Sequence, residues 1–360
     1  MRDVDLTRRG FLAGGAALVG AGAIGCHPAA APPAAPGSPA ASPRKLAASR
    51  VDGPPPTLVV LWLNGGPAGL FNSPRSFLAS GAFGVTADNV RDLGNDLLVD
   101  RDSLGALPAR ALSHMASINF QHGIVRPHEH ARSAVLEDGG HSQLLRMAAA
   151  MPPAGAMRCA VVNDHGLPKG VSAGPPAEAG ASLDFVMAFD DVHHPLDAIR
   201  AAYGVPAGDW IHDASGTFAA VEGLIHAGTS VVFAQPAYTG QPDRQFDTHH
   251  DTSGAAARAV MAPITPLLST FLDRVLALPR NVVTMLVGEF SRTSSASDHE
   301  PGGTATLIGA KVKTGTAGPQ RTDGSPPPNA PLPDGLWRFA SAALGLDPTG
   351  NPNPELIRTA

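Results

Sequence analysis

The sequence predicts an α/β domain, doubly wound, with a mainly parallel sheet and helices on both faces. Three observations lead there. Six short, continuous apolar runs rich in strand formers punctuate the chain, as strands buried on both faces require. Helix-like stretches lie between the runs, so the order is strand, helix, strand in repetition. Polar clusters follow four of the runs, where ligand sites of open parallel sheets lie, beyond the carboxyl ends of the strands.

In chain order, the strands are expected at Thr57 to Leu63, Ser117 to Val125, Arg158 to Asn163, Thr229 to Gln235, Asn281 to Gly288 and Thr304 to Ala310. Helices are expected at His130 to Ala150, Leu196 to Ala202, Ser215 to Ala227, Gly254 to Leu278 and Trp337 to Leu344. Pro263 and Pro266 should kink or split the fourth of these, since proline removes a helix hydrogen bond and crowds the preceding turn. Residues 66 to 116 and 311 to 334, rich in Gly, Pro and Asp, should be surface excursions. The resulting division is a leader over 1–25, a tether over 26–55, one α/β domain over 56–350 and a tail over 351–360.

The leader has the order of a signal peptide: a charged start, then an apolar stretch from Phe11 to Gly25 too short to span a bilayer, then small residues. Thr7-Arg8-Arg9-Gly10-Phe11-Leu12 resembles a twin-arginine export signal, which implies delivery by the twin-arginine machinery as a folded protein. Ala23-Ile24-Gly25-Cys26 resembles a lipobox, which would make Cys26 a lipidated anchor; ordinary cleavage nearby is the alternative. Residues 27 to 55 are mostly Ala, Pro and Ser and should form an extended tether reaching on the order of 80 Å at ~3 Å per residue. The expected location is the periplasm or the envelope, with a membrane anchor through Cys26.

Composition excludes several classes. The formal charge is -5, and Met1 to Gly25 carries three Arg and two Asp, so the remainder is near -6. That argues against a general nucleic-acid binder. Cys26 and Cys159 are the only cysteines, which rules out a disulfide-stapled fold and a cysteine-rich zinc module. Forty Gly and 35 Pro fall in no period of three, so the chain is not collagen-like. No apolar run of 20 residues is present, so no permanent membrane span is expected.

The four clusters are Asn64-Gly65-Gly66-Pro67; His128-Glu129-His130 with His141; Phe246-Asp247-Thr248-His249-His250-Asp251; and Glu289-Phe290-Ser291-Arg292-Thr293 with Asp298-His299. If the strands are parallel neighbours, these converge on one sheet edge. Imidazole nitrogen mixed with carboxylate oxygen suits zinc, manganese or a similar divalent ion. Asp247, His249 or His250, Asp298 and His299 are the candidate ligands for one or two ions. Asn64, Asn72, His128, His130, His141 and Glu289 are candidates to line the pocket. Each cluster alone reads equally as a polar loop capped by its own side chains. Ser133, Ser142, Ser291 and Thr293 are candidate nucleophiles, none of them ranked, since a hydroxyl attacks only once a base or metal activates it. Arg292 either neutralises an anionic substrate through its planar fork or holds the loop by a salt bridge.

The stretches Leu61-Trp-Leu-Asn-Gly-Gly-Pro67, Phe246-Asp-Thr-His249, Gly288-Glu-Phe-Ser-Arg-Thr293, Asp298-His299 and Leu344-Gly-Leu-Asp-Pro348 resemble, in this order, a bacterial family catalogued as domain of unknown function 1501. That family is grouped with the alkaline phosphatase and sulfatase superfamily. The resemblance covers about residues 57 to 348, and a twin-arginine leader is typical of the family. It implies an alkaline-phosphatase-like fold with metals at the strand ends and a Ser or Thr that attacks phosphate or sulfate. By position, Asp247 and His249 would serve one metal, and Asp298 and His299 the other. The sequence departs from the family after Asn-Gly-Gly-Pro: an Asp-Thr pair is replaced by Phe71-Asn72-Ser73, and a neutral Asn72 is a poorer ligand. The expected function is therefore a metal-dependent hydrolase of small anionic esters with an incomplete metal site. The alternative is a non-catalytic envelope protein that keeps the fold for binding or structure.

Overall fold

The computed structural model describes residues 54–67, 69–71, 73–152, 157–162, 196–206, 213–236 and 246–359. The leader, Cys26, nearly all of the tether and Asn72 lie outside the described residues. Seven strands form the central sheet: β1 Thr57–Trp62, β2 Met115–Gln121, β3 Cys159–Val162, β4 Val231–Ala234, β5 Val282–Val287, β6 Gly302–Ile308 and β7 Gly315–Thr316. Their spatial order is β7-β2-β6-β5-β1-β4-β3.

β1 pairs in parallel with β5 on one side and β4 on the other, and β4 pairs in parallel with β3. β6 is the exception, antiparallel to both β2 and β5. All six runs expected from sequence are strands, and the sheet is parallel except at β6. Apolar continuity reports burial on both faces and leaves strand direction open. Residues 288–301, between β5 and β6, hold no helix to carry a parallel crossover; they form the short antiparallel bridge of Ser291–Arg292 with His299–Glu300 and return the chain antiparallel.

Alternation along β1 divides the core into two layers. Val59 and Leu61 face one cluster with Phe218, Leu268 and Phe271; Leu58, Val60 and Trp62 face another with Val135, Leu144 and Trp337. The longer described helices are distributed accordingly: α1 His128–Leu136, α2 Gln143–Ala150 and α6 Pro333–Leu344 on one face, α3 Leu196–Ala202, α4 Ala214–His226 and α5 Ala255–Val275 on the other. Cys159 is buried in β3, and burial pushes its thiol up to about 12, which leaves it protonated and inert.

Three elements depart from the sequence reading. The stretch expected as one helix over 130–150 is two, because Gly139 and Gly140 take left-handed φ of 58° and 81° and turn a hairpin, Glu137–Asp138 against His141–Ser142. α5 runs unbroken through Pro263 and Pro266. Both prolines, and Ala259 and Ala262 whose carbonyls lose their partners, lie on the exposed side, where water serves them. α5 is also long and apolar enough to cross a membrane by length and composition, but Met261, Ile264, Leu268, Phe271 and Leu272 bury one face of it in the core. Finally, the 66–116 region contributes Leu70, Phe71, Phe77, Phe83, Val99 and Leu104 to the core. Single apolar residues at irregular spacing carry no period, so their burial was not readable from pattern. Past residue 350, the backbone is tied to the domain by Lys313 N–H to Leu356 O at 2.9 Å and Arg358 N–H to Lys311 O at 2.7 Å.

Candidate metal centre

The carboxyl ends of β1, β2, β4 and β5 point to one edge, and the chain segments beyond them carry the site. The loop after β1 is drawn against its neighbours without side chains in between. A Cβ at Gly65 would overlap the backbone nitrogen of Asp247, and one at Gly66 would overlap the carbonyl of Phe290. Both glycines also take positive φ, 94° and 77°, which disfavours any L side chain.

Arg292 closes the assembly from within. Its side chain is fully buried. Nε donates to Gly66 O at 2.9 Å, Nη1 to Ser297 O at 3.2 Å, and Nη2 to Phe246 O at 2.8 Å, to Asp247 Oδ1 at 2.8 Å and to Gly65 O. Of the two roles the sequence left open, the geometry gives it the loop-holding one. The short antiparallel bridge Ser291–Arg292 with His299–Glu300 then fixes His299 opposite Arg292.

Asp247 is the hub. His299 Nε2 lies 3.1 Å from Oδ1, His249 Nε2 lies 2.9 Å from Oδ1, and His128 Nε2 lies 3.5 Å from Oδ2. His128 Nδ1 lies 2.8 Å from Glu289 Oε1, which also accepts the Gly65 N–H at 2.7 Å. His299 Nδ1 lies 3.1 Å from the carbonyl of Val125. The His299 ring stacks on Phe290 at 4.1 Å and meets His128 edge-on at 4.5 Å. Asp298 accepts the His299 N–H at 2.9 Å, and its Oδ1 lies 3.5 Å from His249 Nδ1. Two groups place ligand atoms within 4.8 Å of one another: His128, Asp247 and His299, and His249, Asp298 and His299.

The charges are mutually adjusted. Burial pushes the Asp247 carboxyl up, but hydrogen bonds from His128 and His299 and the Arg292 charge hold it far below the usual carboxylate range. Hydrogen bonds to Asp247 and Glu289 raise His128 to about 9 against its own burial. Burial lowers His249, and the nearby Arg292 charge adds to this against the pull of Asp247. The His299 N–H lowers Asp298.

The structure thus brings together four of the five ligand candidates, Asp247, His249, Asp298 and His299, and regroups them around a shared His299. His250 is exposed, with a left-handed φ of 64° and its N–H on Ala296 O at 2.9 Å, and belongs to neither group. His128 and Glu289 sit at the centre. Asn64 borders the site through its carbonyl, which accepts Phe246 N–H at 2.8 Å. His130 and His141 are exposed and outside both groups. Ser133 lies within α1, and Ser142 caps α2 by accepting Leu145 N–H at 3.4 Å. The Ser291 hydroxyl is buried without a partner among the described residues, and that of Thr293 accepts Asp298 N–H at 2.9 Å. Sequence reasoning missed Arg126, an exposed arginine 3.9 Å from Asp298 Oδ2, and His122, whose Nε2 lies 2.7 Å from the Glu289 carbonyl. Their positions after β2 were the available signal.

No family model matches the sequence, and no curated protein does. Among solved structures the chain is similar to the soluble domain of lipooligosaccharide phosphoethanolamine transferase A from Neisseria meningitidis: 8% identity over 86% of this chain and 94% of that one, TM-score 0.46. Against the integral membrane form of that enzyme it covers 59% of the longer chain, with 9% identity over 86% of this one and TM-score 0.46. It is also similar to the alkaline phosphatase of the Antarctic bacterium TAB5, at 7% identity over 82% of this chain and 99% of that one, TM-score 0.39. Phosphonate monoester hydrolase from Silicibacter pomeroyi shares 11% identity over 85% of this chain and 76% of that one, TM-score 0.35. At these identities and scores the likeness carries nothing about activity.

Proposed function

We propose that the chain is an exported envelope protein that hydrolyses phosphate or sulfate esters with one divalent ion held by His128, Asp247 and His299. The observation that carries this reading is the convergence of two imidazole nitrogens on one half-buried, ionised carboxylate at the edge where parallel sheets bind ligands. The donors fit an ion. Tetrahedral zinc, with bonds of roughly 2.0–2.1 Å, sets its ligand atoms about 3.3 Å apart. His128 Nε2 lies 3.5 Å from Asp247 Oδ2 and His299 Nε2 lies 3.1 Å from Asp247 Oδ1, each near that spacing, and one ligand atom from each of the three residues lies within 4.8 Å of the others. Manganese, with the same donor types, is the other candidate. The reading is for one ion because His299 belongs to both groups and the buried Arg292 charge already lies on Asp247 Oδ1.

A bound divalent ion supplies Lewis-acid polarisation of an ester oxygen. The chain's own residues do the rest. Asp247 stays ionised across neutral pH. His249, on the open side and with its pKa lowered by burial and the Arg292 charge, is placed to take or return a proton. Arg126, exposed at the solvent rim and 3.9 Å from Asp298 Oδ2, is placed to meet an anionic ester. The export route rests on Arg8 and Arg9, and the lipid anchor on Cys26; an R8K/R9K pair should leave the protein in the cytoplasm on fractionation.

A second reading, a binding protein without turnover, is favoured by the hydroxyls. Neither Ser291 nor Thr293 is presented as an activated nucleophile. One experiment tests both. Residues 51–360, purified without chelators or a His-tag, should carry one equivalent of zinc or manganese and cleave aryl phosphate or aryl sulfate. Metal without turnover selects the binding reading. Replacing Asp298 and His299 together with Ala should abolish metal retention without unfolding; unchanged stoichiometry in that variant would sink the ligand assignment.

A further inference from the structure

We infer that Glu289 is a positioning residue: it holds the Nδ1–H of His128 and thereby aims the Nε2 lone pair of that ring at the ion site beside Asp247. The inference rests on the metal reading above for its purpose and on separate geometry for its substance. Glu289 is fully buried at the end of β5, a place where a charged side chain is costly unless it does something. Its Oε1 accepts two N–H groups, Gly65 at 2.7 Å and His128 Nδ1 at 2.8 Å, while Oε2 has no partner among the described residues. A buried carboxylate with one oxygen left unpartnered is a poor way to secure a loop. A glutamine accepts the same two bonds through one oxygen and carries no charge to desolvate.

The carboxylate does what an amide does not. Once an ion displaces the Nε2 proton, Glu289 keeps the remaining proton on Nδ1 and so fixes the tautomer, and its charge makes the opposite nitrogen a stronger donor. Two neighbouring contacts complete the alignment. Phe290 meets the His128 ring edge-on at 5.1 Å, and the ring of His299 meets it at 4.5 Å, so rotation about the ring axis is blocked. His299 repeats the arrangement with a neutral acceptor, the Val125 carbonyl, on Nδ1. Glu289 also links the loops after β1 and β5 to the start of α1, so the same oxygen that sets the ring records whether the β1 loop is seated.

The test uses residues 51–360 labelled with 15N-histidine, together with zinc titration. A protected His128 Nδ1–H resonance should be present in the parent protein and in Glu289→Gln, and lost in Glu289→Ala. Zinc affinity should fall about tenfold or more in Glu289→Gln, in the range for outer-shell partners, with the fold intact by circular dichroism. It should fall further in Glu289→Ala. The inference is overturned if the resonance is absent from the parent, if it survives in Glu289→Ala, or if Glu289→Gln binds zinc as tightly as the parent. A parent protein that shows the resonance but retains no metal would remove the metal reading while upholding the Glu289–His128 bond.

Discussion

Arg292 delivers its guanidinium to four carbonyls and one carboxylate drawn from three loops, with no access to solvent. A methionine there fills the space and leaves the half-buried Asp247 without its cation and four carbonyl acceptors short of donors. Breaking one side of a largely buried pair of this kind costs about 3–5 kcal/mol, so Arg292→Met should lower the unfolding free energy measured by urea denaturation by that amount, whereas Arg126→Met should change it by less than about 0.5 kcal/mol. Equal effects from the two would show that Arg292 does not hold the loops. The same residue marks where sequence reading stops. The string Ser291-Arg292-Thr293 announces a site, but an arginine that binds an anion and one that binds carbonyls are the same letter, and only burial distinguishes them. His128 illustrates the converse. Asp247 and His249 announce each other by proximity in the chain, but His128 reaches Asp247 across 119 positions through the pairing order of the sheet, which no local spacing records.

Between α4 and α5, Glu222 accepts three hydrogen bonds from Arg274, at 2.6 to 3.0 Å, and one from the Tyr203 hydroxyl at 2.6 Å. Burial pushes this carboxyl up, but its partners His226, Arg274 and Tyr203 bring it down from 4.5 to about 2. A depressed carboxyl stabilises the fold above its unfolded pKa and ceases to as pH falls through its folded one. The stability from this network is therefore complete above about pH 4.5 and is lost toward pH 2. After allowance for the part-exposed Arg274, it amounts to about 2 kcal/mol. Glu222→Gln should be less stable than the parent at pH 7 and should lose less on acidification; parallel acid curves for the two would refute the assignment. The helices carrying this network were legible as apolar, periodic stretches. Less legible was their continuity. Proline in α5 is harmless because it faces water, and a glycine pair ended α1 where periodicity ran on.

At the level of the whole molecule, an ion that binds only the folded chain stabilises it by mass action, about 2.7 kcal/mol at a hundredfold excess over Kd. Zinc should therefore raise the thermal midpoint of the parent protein by several degrees and leave that of D298A/H299A unmoved. A shift in the double variant would mean that zinc binds elsewhere. The sheet was readable because strands buried on both faces have little choice of composition. The reversed direction of β6 was not, since it follows from the helix-free segment 288–301 that precedes it and not from the residues of the strand. That connecting segment has its own consequence. It is joined to the sheet at Val287 and Gly302, and within it Arg292 is paired with His299, beside Asp298. Residues inserted there would shift Arg292 against His299. At the tip of the 137–142 hairpin, by contrast, Gly139 and Gly140 are exposed and nothing stands within 4 Å of where a Cβ would be. A reporter peptide or a second protein would be spliced into the chain at that tip, at the cost of one surface turn and none of the ligands.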